Sequence, residues 1–231
     1  MLKGITTLFF DLDGTLNELE DRHFMTTYAS EAYKNFTDQF DNFEEFVHHL
    51  IAGTQEMLRS DNDNYVVEAF FDYFCKHVDL DRQTTMNRFV RFYETNFDEL
   101  QKVSGKVDYA QEVIEEAKNK GFKLVLATQP IFYKLATIKR VKWAGIDPED
   151  FSIITHALNS KASKPNPRYF NWLLSEIDSK PEETLMIGND PTMDMGAAQV
   201  GIRTWLTSDF EGVKADYKGS LKDLYKKISD S

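Results

Sequence analysis

The sequence predicts an α/β fold: a Rossmann-like parallel sheet core with helices on both faces, interrupted near its start by an inserted α-helical cap. Three observations predict it. From about Val107 onward, short apolar runs that stop at a polar residue or glycine alternate with stretches of helical periodicity, the pattern of a doubly wound sheet. The first apolar run (Ile5, Leu8, Phe9, Phe10) ends abruptly in Asp11, Asp13 and Gly14, as a buried parallel strand does at its carboxyl-end loop. Between Asn17 and Ser104 there is no proline and no convincing strand, and apolar residues recur at helical spacing. The α/β core is therefore expected over residues 1–16 and 105–231, and the helical insert over 17–104.

In the insert, Phe24, Tyr28 and Ala32, continued by Phe36 and Phe40, mark one apolar face. Phe43, Phe46, Val47, Leu50 and Met57 mark a second helix, with Asp41 or Asn42 as N-cap. Asp61-Asn62-Asp63-Asn64 is a turn and cap cluster. Val67, Phe70, Phe74 and Val78 mark a third helix, and Met86, Phe89, Val90, Tyr93 and Phe97 a fourth. The insert holds 16 of the 31 aromatic residues in well under half the length, so it is expected to carry a core of its own. Hinges are expected near Leu16–Asp21 and near Lys102–Lys106, where Ser104-Gly105 breaks the pattern.

The core resumes with a helix bearing Val107, Ala110, Val113, Ile114 and Ala117, closed by Gly121. A strand over Phe122–Thr128 follows, then a helix whose apolar residues are Leu135, Ile138 and Val141, and a strand near Phe151–Thr155. Asn166 and Pro167 begin the next helix. Thr184–Gly188 reads as a strand, Thr192–Val200 as a short helix ended by Gly201, and Ile202–Leu206 as the last strand. Leu221, Leu224, Tyr225 and Ile228 behind Ser220 mark a docked terminal helix.

Composition narrows the function classes. The chain is 42% hydrophobic and 28% charged, ordinary for a soluble globular protein. A formal net charge of −11 and a pI near 5.0 argue against nucleic acid or an anionic membrane as partner. They leave room for an anionic small molecule, because charge at a site can differ from the total. Cys75 is the single cysteine, so no intrachain disulfide can form; a reducing, cytoplasmic setting and a buried structural thiol are the expectations. The first strand follows Met1-Leu2-Lys3-Gly4 directly, so no signal peptide is expected, and no apolar stretch is long enough to span a bilayer.

Asp11 and Asp13 lie two apart, so on a strand they point to one side. Two carboxylates so placed repel unless a cation lies between them, which suggests Mg²⁺, a hard ion that prefers oxygen ligands. Asp-x-Asp-Gly can equally be a plain turn. Thr128 ends a strand, Lys164 stands just before a helix start, and Gly188-Asn189-Asp190 ends another strand, each at the sheet end where ligands bind. Asp190 before Pro191 is also a good N-cap, and Asp194 falls in a first helical turn where negative charge is favourable without any metal. The five histidines (His23, His48, His49, His77, His156) show no metal spacing, and neither a P-loop, a dinucleotide fingerprint nor a Gly-x-Ser-x-Gly elbow occurs.

Asp11-Leu12-Asp13-Gly14-Thr15-Leu16 resembles the first motif of the haloacid dehalogenase-like hydrolase superfamily. Ala127-Thr128 resembles its second motif, Lys164-Pro165-Asn166-Pro167 its third, and Gly188-Asn189-Asp190-Pro191-Thr192-Met193-Asp194 its fourth, in the family's order. The resemblance implies that the insert is the family's helical cap of the first type, covering the site and reading a small phosphorylated metabolite. It implies Asp11 as the nucleophile that takes a phosphoryl group, and Asp13 as general acid and base, with its backbone carbonyl on the metal. Asp13 also separates the chain from true dehalogenases, which lack that second Asp. Thr128 would hold phosphoryl oxygens and Lys164 would offset charge; Asn189 or Asp190 would touch Mg²⁺ with Asp194 in support. Two positions depart from the pattern: Gln129 follows Thr128 where Asn or Ser is usual, and Asn189 stands where a carboxylate is expected. The implied activity is a Mg²⁺-dependent phosphatase acting through an aspartyl-phosphate, similar to the branch of pyrimidine 5′-nucleotidases and acylneuraminate phosphatases. A phosphomutase and a non-catalytic phospho-ligand-binding protein are the alternatives on the same fold.

Overall fold

The computed structural model describes residues 2–19 and 21–230. Six strands form one parallel sheet: β1 (Thr7–Phe10), β4 (Lys123–Leu126), β5 (Ile153–Ile154), β6 (Thr184–Gly188), β7 (Arg203–Leu206) and β8 (Tyr217–Lys218), in the order β5-β4-β1-β6-β7-β8. Side-chain alternation splits the core into two layers. Leu8, Phe10, Leu124, Leu126, Leu185 and Ile187 face α5 (Ala110–Asn119), α6 (Lys134–Trp143) and α8 (Leu221–Ser229). Phe9, Val125 and Met186 face α7 (Pro167–Ile177) and the 3-10 helix Met195–Val200. Every one of these strand residues is buried, as parallel strands covered on both faces must be.

The register puts Phe10 opposite both Leu126 and Ile187. The carboxyl ends of β1, β4 and β6 are therefore level, and the three loops that follow them open at one place. The Asp11 amide donates to Ile187 O (2.9 Å) and the Ala127 amide to Phe10 O (2.7 Å), so the ladder runs right up to the loop residues.

The insert is α1 (Asp21–Tyr33), α2 (Phe43–Arg59), α3 (Val66–Phe74), α4 (Arg82–Thr95) and the 3-10 helix Phe97–Val103. Asn42 is the N-cap of α2, its side chain accepting from the Glu45 amide, and Asp81 caps α4 in the same way. Phe36 and Phe40 are buried but lie in turns after α1, not on a helix. They fill the space between helices: the Phe36 ring stacks on Phe46 (5.6 Å) and lies 4.8 Å from Phe89 and 5.6 Å from Phe74. Val78 and Phe97 likewise fall beyond the helices whose periodicity they continue. Apolar spacing near 3.6 continues by coincidence where the chain turns, because the same core must be filled from a different backbone.

Three further differences from the sequence expectations concern short elements. A two-stranded antiparallel ribbon, β2 (Asn17–Leu19) with β3 (Ser104–Lys106), forms the connection between cap and core. Three-residue strands are too short to show alternation, so the sequence marks them only as hinges; Glu20 of the first hinge lies outside the described residues. β8 adds a sixth strand after the expected last one, again two residues long. The helix expected over Thr192–Val200 is a turn followed by 3-10 helix. Cys75 is half-buried at the end of α3, with burial raising its thiol pKa. Among the described residues no helix is long and apolar enough to cross a membrane.

Beyond the ribbon, the cap touches the core in three ways, one of them through Lys139 of α6, which donates to Tyr93 O (2.9 Å) and pairs with Asp98 (3.0 Å). Phe132, Ala136 and Ala157 of the core belong to the aromatic cluster of the cap. At the rim, Arg168 in the first turn of α7 donates to Asp61 (2.8 Å), Asp63 (2.9 Å) and Asn62 O (3.1 Å) in the loop between α2 and α3, while the Val66 amide donates to Ser160 O (2.9 Å). Truncating Phe36 to Ala should leave a cavity among three rings and destabilise the protein by about 3–5 kcal/mol. Urea denaturation monitored by circular dichroism would show this as a lower midpoint; an unchanged midpoint would mean that this ring does not hold the cap together.

Candidate active site

Three level strand ends and the start of α7 supply the site. Asp11 follows β1 and is 7% exposed; Lys164 is 4% exposed and Asp194 fully buried. The Lys164 ammonium donates to Asp11 Oδ1 (2.7 Å) and Asp194 Oδ1 (2.6 Å), so one buried cation bridges two buried carboxylates. Asp194 spends its second oxygen on the Asp190 amide (2.9 Å), which leaves it a support for Lys164 and the acidic loop. Asp11 Oδ2 has no protein partner among the described residues.

With both carboxylates ionised, this triad carries one negative charge in excess. Burial raises the Asp11 pKa to about 7 against the lowering effect of Lys164, with the Asp194 and Asp13 charges adding to the rise. Burial opposes the Lys164 ammonium too, but its two carboxylates overcome it and hold its pKa above the usual range. The excess charge is what a hard divalent cation would neutralise. Among the described residues no group of three or more His, Cys, Asp or Glu side chains is placed to hold a metal by itself. Asp11 and the acidic loop offer oxygen donors, the chemistry that a hard ion such as Mg²⁺ prefers.

The loop after β1 is held tight around Leu12, whose carbonyl accepts from the Thr15 (3.2 Å), Leu16 (2.8 Å) and Asn17 (2.9 Å) amides. Gly14 has φ +79°, and a Cβ there would lie 2.3 Å from Asn189 Nδ2, so glycine is required both by conformation and by close approach. Asn189 thereby packs on the Asp11 loop, where its Oδ1 accepts from the Thr15 hydroxyl (3.2 Å). Asp190 is engaged elsewhere, its Oδ1 accepting the Thr192 (2.7 Å) and Met193 (2.8 Å) amides, as an N-cap does. Gly188 has no room for a side chain, since a Cβ would lie 2.1 Å from Asp194 Oδ2.

Thr128 is buried in the loop two residues after β4, and its carbonyl accepts from Thr155 Oγ1 and Tyr169 Oη (both 2.8 Å). Its hydroxyl is left free among the described residues. Gln129, the departure from the usual motif, clamps the lysine: its Nε2 donates to Lys164 O (3.1 Å) and its Oε1 accepts the Lys164 amide (2.9 Å). Lys161 is exposed, and the Lys164–Pro165 peptide is cis.

One residue of the site is absent from the sequence expectations altogether. Arg140 of α6 is fully buried and pairs with Asp13 Oδ2. Leu135 and Ile138 point to the wrong face of α6; Leu135 is 37% exposed, and the buried face is Ala136, Thr137, Arg140 and Val141. The usable signal is Ala136-x₃-Arg140-x₃-Ala144, a long cation flanked one turn away on each side by small residues.

A family model described as haloacid dehalogenase-like hydrolase matches residues 5–201. The chain belongs to this family. It is an enzyme, a hydrolase, and phosphatases are among its relatives. "Pyrophosphatase PpaX" of Bacillus cereus (strain Q1) is 24% identical over 98% of this chain and 97% of its own length. Among solved structures, a HAD phosphatase from Thermococcus onnurineus superposes with a TM-score of 0.63 at 20% identity, covering 97% of this chain and 98% of that one. The HAD-hydrolase YfnB of Bacillus subtilis, described as bound to magnesium, superposes at 0.59 with 22% identity, covering 97% and 98%.

The shifted carboxyl gives a prediction for the protein in chelator. Asp11 titrates near its ordinary 3.8 when unfolded and at about 7 when folded, so its contribution to stability is present in full below pH 3.8 and is lost as pH rises to about 7. Asp11→Asn removes that loss. Urea titrations across this window should show the variant gaining on the native protein with rising pH; parallel curves would place the Asp11 titration elsewhere.

Proposed function

We propose that this enzyme is a Mg²⁺-dependent phosphatase of small phosphomonoesters, with sugar phosphates and nucleoside monophosphates as its leading substrate classes. The observation that carries the reading is the Lys164 ammonium bound to Asp11 Oδ1 and Asp194 Oδ1, with Asp11 Oδ2 unengaged. A carboxylate held by one oxygen has the other directed by that bond, which is the preorganisation that an in-line attack requires.

Asp11 Oδ2 attacks phosphorus, and the bond from phosphorus to the ester oxygen breaks. Asp13 gives its proton to the departing oxygen, releasing the alcohol. Asp13 then takes a proton from water; the water oxygen attacks phosphorus, the Asp11–phosphorus bond breaks, and inorganic phosphate leaves. Thr128 and Lys164 bind the phosphoryl oxygens, and Lys164 keeps its charge throughout. Mg²⁺, when bound, would neutralise charge on the phosphoryl group as a Lewis acid. Asp11, the Asp13 carbonyl and Asn189 would hold it. Asn189 is favoured over Asp190 because it packs on the Asp11 loop, whereas Asp190 caps the turn that follows. Asp194 acts through Lys164, which keeps it at the centre without a direct ligand role.

The substrate would be a small phosphorylated metabolite held between cap and core in a cytoplasmic setting, with no nucleic acid or membrane involved. The name of the PpaX relatives adds pyrophosphate to the compounds worth testing. Phosphate release from sugar phosphates, nucleoside monophosphates and pyrophosphate should require Mg²⁺ and disappear in Asp11→Asn. Asn189→Ala should raise the Mg²⁺ concentration for half-maximal rate more than Asp190→Ala does. Accumulation of a bisphosphate in place of free phosphate would identify a phosphomutase. Tight binding of these compounds without turnover would favour the ligand-binding alternative.

A further inference from the structure

A guanidinium removed from water must find a counter-charge and a full set of acceptors, because a buried unpaired charge is strongly destabilising. Arg140 is 0% exposed, and its polar partners are few. Nη1 pairs with Asp13 Oδ2, Nη2 reaches Thr137 Oγ1 (3.5 Å), and Nε reaches Ala136 O (3.4 Å). The last two contacts lie at the limit of hydrogen bonding, so Asp13 is the one strong partner among the described residues. The guanidinium carbon lies over the Phe132 ring, 4.4 Å from its centre. Burying an arginine in this way is an expensive means of filling space between two buried alanines; an apolar residue there would pack without desolvating a charge. What arginine does and an apolar residue cannot is fix one chosen oxygen of Asp13.

The other oxygen, Oδ1, meets Asn17 Nδ2 at 3.4 Å, a loose contact. Asn17 is itself buried, begins the hinge strand β2, and accepts from the Ser104 hydroxyl (2.7 Å) across the ribbon. Asp13 therefore has one oxygen gripped and one loosely held. A carboxyl that alternates between acid and base needs this asymmetry: the oxygen that carries the proton must be free of a cation, and must stay the same one in both half-reactions.

Resting on the phosphatase reading above, we propose that Arg140 is a positioning residue for catalysis: by binding Asp13 Oδ2 it orients the carboxyl so that Oδ1 delivers the proton to the leaving oxygen and recovers it from water. The proton moves between Asp13 Oδ1, the ester oxygen and water, and Arg140 stays protonated throughout. Phe132 backs the guanidinium, and its ring packs on Tyr28 (5.3 Å) and Phe24 (6.2 Å) of α1. The orientation of Asp13 is thus referred to the cap on one side through Arg140 and Phe132, and to the hinge on the other through Asn17.

Leaving groups of different basicity separate this role from a structural one. p-Nitrophenolate departs without a proton, whereas the alkoxide of an alkyl phosphate needs one. Rapid-mix kinetics would compare native protein, Arg140→Met and Arg140→Lys on p-nitrophenyl phosphate and on the alkyl phosphate that the native enzyme turns over best. Arg140→Met should keep a near-native burst of p-nitrophenolate, followed by slow turnover as phosphoenzyme accumulates, while its single-turnover rate on the alkyl phosphate falls about 10²-fold or more. Arg140→Lys should recover part of the alkyl rate. Equal losses on both substrates would overturn the proposal in favour of a structural role, as would a native alkyl rate in Arg140→Met. If Arg140→Met folds poorly, the decision falls to Arg140→Lys made in native and Asp13→Asn backgrounds: a residue that acts through Asp13 adds no further loss on the alkyl phosphate once Asp13 is gone, and an additive loss overturns the assignment. A native enzyme that releases phosphate from neither compound would instead overturn the phosphatase reading on which this one stands.

Discussion

The Lys164 ammonium, buried between Asp11 and Asp194, is the interaction on which the rest of the site depends. It is drawn from a position just before α7, and its two partners come from the ends of β1 and the loop after β6. One charge contact therefore ties three segments that are 153 and 30 residues apart in the chain. Breaking such a buried group by removing one member leaves an uncompensated charge, which is far costlier than the loss of a surface pair. The neighbouring glycines follow from the same contact. Gly188 must lack a side chain because Asp194 occupies the space beside it, and Gly196 because Pro165 does, with a Cβ at 2.6 Å from the Pro165 ring. Gln129 serves this arrangement as well, since its amide fixes the Lys164 backbone from the β4 side.

The second acid has the opposite surroundings. Asp11 is held by a group belonging to the core alone, whereas Asp13 is held by Asn17 at the hinge and by Arg140 against a ring of the cap cluster. The difference matches the roles proposed for them. A nucleophile must be in place whenever substrate arrives, so it belongs to the rigid sheet. A proton carrier is useful only when the cap is over the substrate, so ties to hinge and cap place it where cap position can influence it.

The sheet and its order of elements are legible in the sequence because fully apolar strands ended by Asp, Thr or Gly are unambiguous when they alternate with helices. Asp11, Asp13, Thr128 and Lys164 are legible because each stands at a strand end or helix start, where position alone suggests a role. Arg140 is harder to read, because in a helix of mixed composition the most apolar residues do not mark the buried face. Leu135 and Ile138 outweigh two alanines and a threonine in apolarity, yet the small residues mark the face that presses closest to its neighbours. Asn189 and Asp190 cannot be separated by sequence, since each is a competent oxygen donor. The close approach of Gly14 shows that Asn189 is the one that lies against the Asp11 loop. The cap helices are legible but their ends are not, since Phe36, Phe40 and Phe97 fill the core from beyond the α-helices with the same apolar side chains that a helix would use.

The cap's contacts with the core are of two unequal kinds, and this bears on how it can open. Arg168 with Asp61 and Asp63 forms an exposed ion-pair group, with side chains 41%, 65% and 95% accessible, and pairs of this sort are worth about 0–1 kcal/mol each. These ion pairs are sensitive to salt, and the Val66 amide bond to Ser160 O (2.9 Å) is the firmer tie at the rim. Phe132, by contrast, is buried against α1 and stacked under the Arg140 guanidinium, so separating the cap there exposes aromatic surface and strips the backing from a buried charge. Opening at the rim with the aromatic contact kept as the pivot is the less costly motion. It would swing the loop between α2 and α3 away from α7 while the cap stayed attached beside α6 and the β2–β3 ribbon.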